Sequence, residues 1–243
     1  MTENKKIALV TGANKGIGYE VVRQLAEQEM TVLLGARNAE RGEEAAETLR
    51  GESFDVHFVR LDIQDASTHQ AAAQFIEEKF GKLDILVNNA GIALDMGEKP
   101  SEVSQDLLRQ TFDTNFFGTV AVTQAFLSLV KKSNAGRIVN VSSGLGSLTQ
   151  NSDPNWEFSQ VKPLAYNASK TALNAFTVIL AHELKDTDIK VNSADPGFTA
   201  TDLNGHQGYK TVEQGASIIT QLAVLPDGGA TGSYFDDQGV LPW

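Results

Sequence analysis

Tyr166 and Lys170 stand four positions apart at the start of a strongly apolar stretch, and on a helix that spacing puts them on one face, roughly 6 Å apart along the axis. A phenol can serve as both proton donor and acceptor only if its pKa comes down from about 10 toward neutrality, roughly 4 kcal/mol in favour of the phenolate. A cation such as Lys170 is the natural source of that bias. Tyrosine and lysine at this spacing are also ordinary on helix surfaces, so the pair takes its meaning from its company. Arg137-Ile138-Val139-Asn140-Val141 runs into Ser142 and Ser143, two hydroxyls at the end of an apolar run. Asn115, in Thr114-Asn115-Phe116-Phe117-Gly118, is an amide in an otherwise apolar helical pattern. An unpaired amide there would be costly, so Asn115 either bonds a functional partner or stabilises a kink in the helix.

A second group of residues lies near the start. The run Gly12-Ala13-Asn14-Lys15-Gly16-Ile17-Gly18 follows the first apolar segment and leads into a helical one. Glycines let the backbone turn sharply and approach a pyrophosphate, and the N–H groups at a helix start favour an anion. The pattern fits a dinucleotide and is not a P-loop, because no Gly-Lys-Ser/Thr follows the glycines. Where an acid usually holds the adenosine ribose in such sites, this chain has Arg37, with Lys15 and Arg41 near in sequence. A guanidinium suits a 2′-phosphate through paired, charge-assisted hydrogen bonds, which points to NADPH/NADP. The alternative is a surface arginine paired with Glu40 or Glu43.

The elements that must position these groups alternate. Short β-branched runs at Ile7 to Thr11, Thr31 to Ala36, Val56 to Leu61, Ile85 to Val87, Arg137 to Val141 and Ile189 to Ser193 read as strands. Helical spacing occupies Tyr19 to Gln28, Glu40 to Arg50, Ala66 to Phe80, Leu107 to Val130 and Ala168 to Leu184. Strand–helix alternation implies an α/β, single-domain Rossmann fold over 1–243, a doubly wound, mostly parallel sheet with helices on both faces and ligands at the carboxyl ends of the strands. Two stretches break the rhythm: 144–165, rich in Ser, Asn, Gly and Pro, and Phe198 to Lys210, before a helix opened by Thr211 and Gln214 in capping-box spacing.

Composition excludes several classes. The chain has 243 residues and no cysteine, so disulfides, thiolate nucleophiles and thiolate zinc sites are out. The four histidines lack metal-ligand spacing, and no metal is expected. With 20 basic against 31 acidic residues the net charge is −11, which opposes nucleic acid and anionic membranes. No apolar run approaches the roughly 20 residues of a bilayer span, and the polar opening Met1 to Lys6 is unlike a signal peptide. A cytoplasmic protein is expected, either a monomer or a homo-oligomer.

Taken together, these landmarks resemble the short-chain dehydrogenases/reductases, most closely the carbonyl reductases, over the whole chain. The resemblance implies reduction of ketones or aldehydes to alcohols, with a small-molecule carbonyl compound as substrate. It implies that Tyr166 is the general acid/base, that Lys170 lowers its pKa and binds the nicotinamide ribose, that Ser143 rather than Ser142 holds the carbonyl, and that Asn115 orders a relay water. It also assigns Asp62, with Ile63, to the adenine, Asn88, Asn89, Ala90 and Gly91 to stabilising the sheet beside the cofactor, and Pro196, Gly197 and Thr199 to the nicotinamide and its carboxamide. The separation of 23 positions from Ser143 to Tyr166 exceeds the usual family spacing. The extra segment, Asp153-Pro154-Asn155-Trp156-Glu157-Phe158, is expected to form a short helix whose Trp156 and Phe158 either cap the substrate pocket or pin the insertion to the body. Other readings on the same scaffold are a 3-oxoacyl thioester, sugar or steroid reductase; from another class, a non-catalytic NADPH-binding regulator.

Overall fold

A computed structural model of the chain describes residues 5–243; the polar opening from Met1 to Asn4, part of the signal-peptide argument, lies outside the described residues. Eight strands form one sheet in the order β3-β2-β1-β4-β5-β6-β7-β8. They are β1 Ile7–Thr11, β2 Thr31–Ala36, β3 Val56–Arg60, β4 Ile85–Asn88, β5 Arg137–Val141, β6 Lys190–Ala194, β7 Tyr234–Asp236 and β8 Gly239–Val240. All neighbours pair in parallel except β7 with β8, which is a small hairpin. The chain leaves β1 toward β2 on one side and returns to β4 on the other, so the crevice that such a reversal opens lies above the end of β1.

Period-two alternation divides the core. Ala8, Val10 and Leu34 face one layer with Val21, Val22, Leu25, Ile219 and Leu222, from helices α1 Gly16–Ala26 and α8 Val212–Ala223, with α2 Ala39–Gly51 on the same side. Leu9, Leu33 and Leu86 face the other with Ile76, Phe126, Leu129 and Leu180. That layer comprises α3 Ala66–Phe80, α5 Thr119–Val130 and α7 Leu164–Glu183. Both faces of the sheet are covered, as a parallel sheet requires.

Three elements differ from the sequence expectation. The helix expected over Leu107 to Val130 is interrupted: α4 Gln105–Phe112 passes through a π-helical segment, Asp113–Gly118, into α5. Single π turns of this kind accommodate one extra residue and are frequent at functional sites. Within the insertion the helix is α6 Leu148–Ser152, not the 153–158 segment. Ser147 caps it by accepting the Gln150 N–H at 3.1 Å, and Pro154 cannot continue it. Strands β7 and β8 have three and two residues, too short to leave a periodic signature.

Candidate active site

The glycine turn is built against the end of β4. At Gly12, with φ +62°, an added Cβ would lie 2.9 Å from the Ala90 Cα, and at Gly18 one would lie 2.4 Å from the Asn89 Nδ2. Asn89 Nδ2 donates to the Thr11 and Gly12 carbonyls at 2.9 and 3.2 Å, while the Thr11 hydroxyl accepts the N–H groups of Asn89 and Ala90. Asn89 therefore holds the turn in place. Around Gly16 the space is open: the nearest atom to an added Cβ is 3.8 Å away. Asn14 and Ile17 sit half-buried beside it.

The helix that follows has its N-terminus free. Side chains of Asn38, Asp65, Ser104 and Thr211 cap α2, α3, α4 and α8, whereas α1 has no side-chain cap and no acid in its first turn. Its unsatisfied N–H groups and positive dipole end face the crevice, which is where a pyrophosphate would be held. Arg37, exposed just past β2, makes no ion pair or side-chain hydrogen bond among the described residues, and Glu43 is taken by Arg50 at 2.6 Å. The pair with Glu40 or Glu43 does not form. An exposed guanidinium beside the crevice fits a 2′-phosphate. Lys15 is differently placed: its ammonium is paired with Asp202 from the loop after β6, and that carboxylate also meets the His206 Nε2 at 2.8 Å. Asp62, half-buried after β3, accepts the Gln64 N–H at 3.1 Å, and Ile63 is buried beside it.

Tyr166 and Lys170 lie in the first two turns of α7 and are buried. The start of α7, after Pro163, has no local side-chain cap. Asp95, fully buried in the loop after β4, supplies one from 70 positions away by accepting the Ala165 and Tyr166 N–H groups at 2.6 and 3.3 Å. Lys170 Nζ donates to the Val141 carbonyl at 2.7 Å and lies 5.7 Å from the centroid of the Tyr166 ring. Both Lys170 Nζ and Asn115 Oδ1 come within 3.4 Å of an added Cβ on Gly91, so these three residues share one corner of the site. Ser143 stands beside the Tyr166 hydroxyl and is half-buried; Ser142 is buried and turned toward Tyr234.

The electrostatics run against a phenolate in the protein alone. Burial pushes the Tyr166 phenol up to about 12, with the Asp195 charge adding to the rise and the Ser143 hydroxyl opposing it. Burial likewise draws Lys170 down to about 8, and Asp195 opposes that shift. Desolvation outweighs the help expected from Lys170.

Asn115 sits in the π-helical segment, fully buried. It accepts the Ile92 N–H at 2.8 Å and donates to the Ile92 carbonyl at 2.8 Å and the Ser169 hydroxyl at 3.0 Å. Its amide is thus occupied by protein partners that lock the π turn to the loop after β4. Asn88 is directed into the sheet interior, where it donates to Thr123 and Asn140 at 2.9 and 2.8 Å, and Asn140 in turn donates to Thr177 at 2.8 Å. This buried chain crosses β4 and β5 to α7 and fixes their ends relative to one another. Beyond Asn88 the segment comes to the surface, with Asn89 and Ala90 half-buried and Gly91 exposed.

Past β6, Gly197 has φ +70° and donates its N–H to Asp195 Oδ1 at 2.9 Å, while the buried Thr199 hydroxyl donates to the Pro196 carbonyl at 3.0 Å. The two irregular stretches meet over the site. Trp156, Phe158, Phe198 and Tyr209 form a ladder of tilted and edge-on rings with successive centroid separations of 5.4, 5.6 and 5.9 Å. Trp156 also reaches 3.1 Å from an added Cβ on Gly144, next to Ser143. The aromatics therefore both pin the insertion to the 198–211 loop and wall the space beside Ser143. Among the described residues no cluster of three or more His, Asp or Glu is placed to hold a metal, and no helix is long and apolar enough to cross a membrane.

Residues 6–211 match the family model described as short chain dehydrogenase. Short-chain dehydrogenase/reductase 1 of Saponaria officinalis is 35% identical, covering 98% of this chain and 96% of that protein. Carbonyl reductase [NADPH] 1 of Mus musculus is 32% identical with full coverage of both, 100% of each. Among solved structures, NADPH-bound carbonyl reductase from chicken fatty liver is similar with a TM-score of 0.85 at 26% identity, covering 98% of this chain and 99% of that one.

Proposed function

The chain belongs to the short-chain dehydrogenase family, and from that premise we propose that it is a carbonyl reductase, converting ketones or aldehydes to alcohols with NADPH. The observation that carries the reading is the meeting of Ser143, Tyr166 and Lys170 at the carboxyl end of β5, against the crevice at which the uncapped α1 begins, with Arg37 exposed just past β2. Bound at that rim, NADPH supplies the hydride and, once oxidised, a positive charge near the phenol. The residues of the chain do the rest. Backbone N–H groups of the glycine turn and α1 receive the pyrophosphate, and Arg37 receives the 2′-phosphate. Asp62 and Ile63 take the adenine side; Ala90, Gly91, Pro196, Gly197 and Thr199 form the walls of the nicotinamide end.

The Ser143 and Tyr166 hydroxyls hold the substrate oxygen, two donors aimed at the charge that develops as the carbonyl becomes an alkoxide. Tyr166 then gives its proton to that oxygen. A phenol held protonated by burial is the correct form for this direction, since reduction consumes a proton. Lys170, anchored on the Val141 carbonyl, reaches past the phenol toward the ribose side and supplies the cation that allows the phenolate to form and be reprotonated. The ring ladder of Trp156, Phe158, Phe198 and Tyr209 gives the substrate an apolar wall, which favours hydrophobic ketones.

The test is the fall in NADPH absorbance when reactive ketones are added to the protein. Turnover is expected in the wild type, and a loss of 10²-fold or more, the usual scale for removing a proton donor, in Tyr166→Phe. A folded Tyr166→Phe protein with most of its turnover intact would remove Tyr166 from the role.

A further inference from the structure

Asp195 is a half-buried carboxylate in the site with no part in the chemistry so far. It directly follows β6, and its own N–H is tied to the sheet through the Phe235 carbonyl at 2.7 Å, so its side chain leaves a fixed point. One carboxylate oxygen accepts the Gly197 N–H at 2.9 Å. The Gly144 N–H faces the same carboxylate, and the other oxygen lies 3.0 Å from where a Cβ on Gly144 would stand. A single carboxylate is thus bonded to the turn that forms the nicotinamide wall and packs against the turn that presents Ser143. These turns come from different strands and share no other side-chain bridge among the described residues.

The carboxylate also faces the reacting groups. From α7 come Tyr166 and Lys170; from β7 come Tyr234 and Asp236; from the 198–211 loop come Tyr209 and Lys210, the latter paired with Asp237 at 2.8 Å. Burial lifts the Asp195 carboxyl up to about 6, the two backbone N–H groups pull it back, Asp236 opposes its ionisation and Lys210 favours it. Its charge raises the pKa of Tyr166, Lys170 and Tyr234 alike.

We propose that Asp195 is a positioning residue of this active site: its carboxylate links the Ser143–Gly144 turn to the Pro196–Gly197 turn, and its negative charge adds to burial in keeping the Tyr166 phenol in the protonated form that reduction consumes. The proposal rests on Tyr166 being the proton donor. It explains how the site is biased. A negative charge beside the phenol disfavours phenolate, the form that alcohol oxidation needs, and supports the Lys170 ammonium.

Asp195→Asn separates the two roles. The amide oxygen can keep the Gly197 hydrogen bond, while the charge is lost and an NH2 group replaces the oxygen that packs against Gly144. The rate of alcohol oxidation by NADP is followed against pH in wild type and variant, with thermal melting as the check on folding. Removing a negative neighbour lowers the pKa of both Tyr166 and Lys170, so both limbs of the profile are expected to move to lower pH, by on the order of one unit for charges interacting across a protein interior. Loss of the bridge should lower the plateau by on the order of tenfold. A purely structural role would lower the plateau and leave the limbs where they were. A folded Asp195→Asn with wild-type limbs overturns the proposal.

Should that variant not fold, the wild type answers by itself. In protein carrying ¹³C at tyrosine Cζ, with the Tyr166 signal assigned by its absence in Tyr166→Phe, that signal is expected to show an inflection near pH 6 as Asp195 titrates. A Tyr166 signal without that inflection overturns the proposal. The spectroscopic arm needs no turnover, so failure of the reductase reading and failure of the Asp195 reading give different results.

Discussion

Replacement of Arg37 tests the cofactor assignment most sharply, because the structure gives that side chain nothing else to do. It is exposed, lies just beyond β2 and has no ionic or hydrogen-bonding partner among the described residues. Arg37→Ala should therefore leave stability within about 0.5 kcal/mol of wild type, the range of surface changes that break no specific contact. Its effect on cofactor choice should be larger. A charge-assisted hydrogen bond contributes about 1.5–3 kcal/mol when sheltered, and solvent at this exposed position reduces that to about 1–2 kcal/mol. At 1.4 kcal/mol per factor of ten, the ratio of kcat/KM for NADPH over NADH should fall roughly 5- to 30-fold. Lys15 offers little compensation, since its ammonium is paired with Asp202. Arg37→Asp adds repulsion of the 2′-phosphate and places an acid where a ribose hydroxyl would be, so it should fall further and approach a preference for NADH. Initial rates with one reactive ketone and each cofactor measure the ratio directly. If Arg37→Ala changed it by less than about twofold, the 2′-phosphate would not be read at the end of β2, and the NADPH assignment would lose its residue.

Two further substitutions separate positioning from stability. Asp95→Ala removes the distant cap on α7 and leaves the Ala165 and Tyr166 N–H groups without an acceptor; a loss of about 1–2 kcal/mol is expected from the cap, with kcat reduced and the Kd for NADPH, from fluorescence titration, nearly unchanged. Equal losses in both would mean that Asp95 supports the whole domain rather than the tyrosine. Arg137, 2% exposed, donates to the carbonyls of Leu225, Gly136 and Asp188 and to Asp227 at the opposite end of β5 from the site. Arg137→Leu leaves the buried Gly136 and half-buried Leu225 carbonyls without this donor and should cost about 2–4 kcal/mol, a fall in Tm of roughly 10 °C for a domain of this size, while kcat/KM of the folded fraction stays at wild-type level. A Tm within about 2 °C of wild type would show that the leucine packs well enough to replace the network.

The six long strands were legible because each is a short β-branched run with polar residues on either side, and a parallel sheet buries such runs on both faces. Ends were less so. Gly16 reads as loop, yet α1 begins on it, because a glycine that serves the turn can also start the helix. The π turn left a single trace, the polar Asn115 among apolar neighbours, and that trace allowed either a functional bond or a kink. The structure contains the kink: the amide bonds Ile92 and Ser169 from within the distorted turn.

What the sequence hid is the set of carboxylates that hold the site together. Tyr166, Lys170 and Ser143 belong to local patterns. Asp95 acts 70 positions from its helix, and Asp195 acts on Gly144 far behind it in the chain, so no window along the sequence contains either interaction. A signal did exist in another form. Leu94-Asp95-Met96 and Ala194-Asp195-Pro196 each place an acid between apolar residues beside a strand end. At Asp195 both neighbours are buried and carry the acid inward, whereas Leu94 and Met96 stay exposed and Asp95 turns inward alone; either acid can stay there only if backbone donors or a cation receive it. Carboxylates of this kind mark places where separate segments are bound together, and in a fold whose ligands gather at strand ends, those segments are the walls of the site.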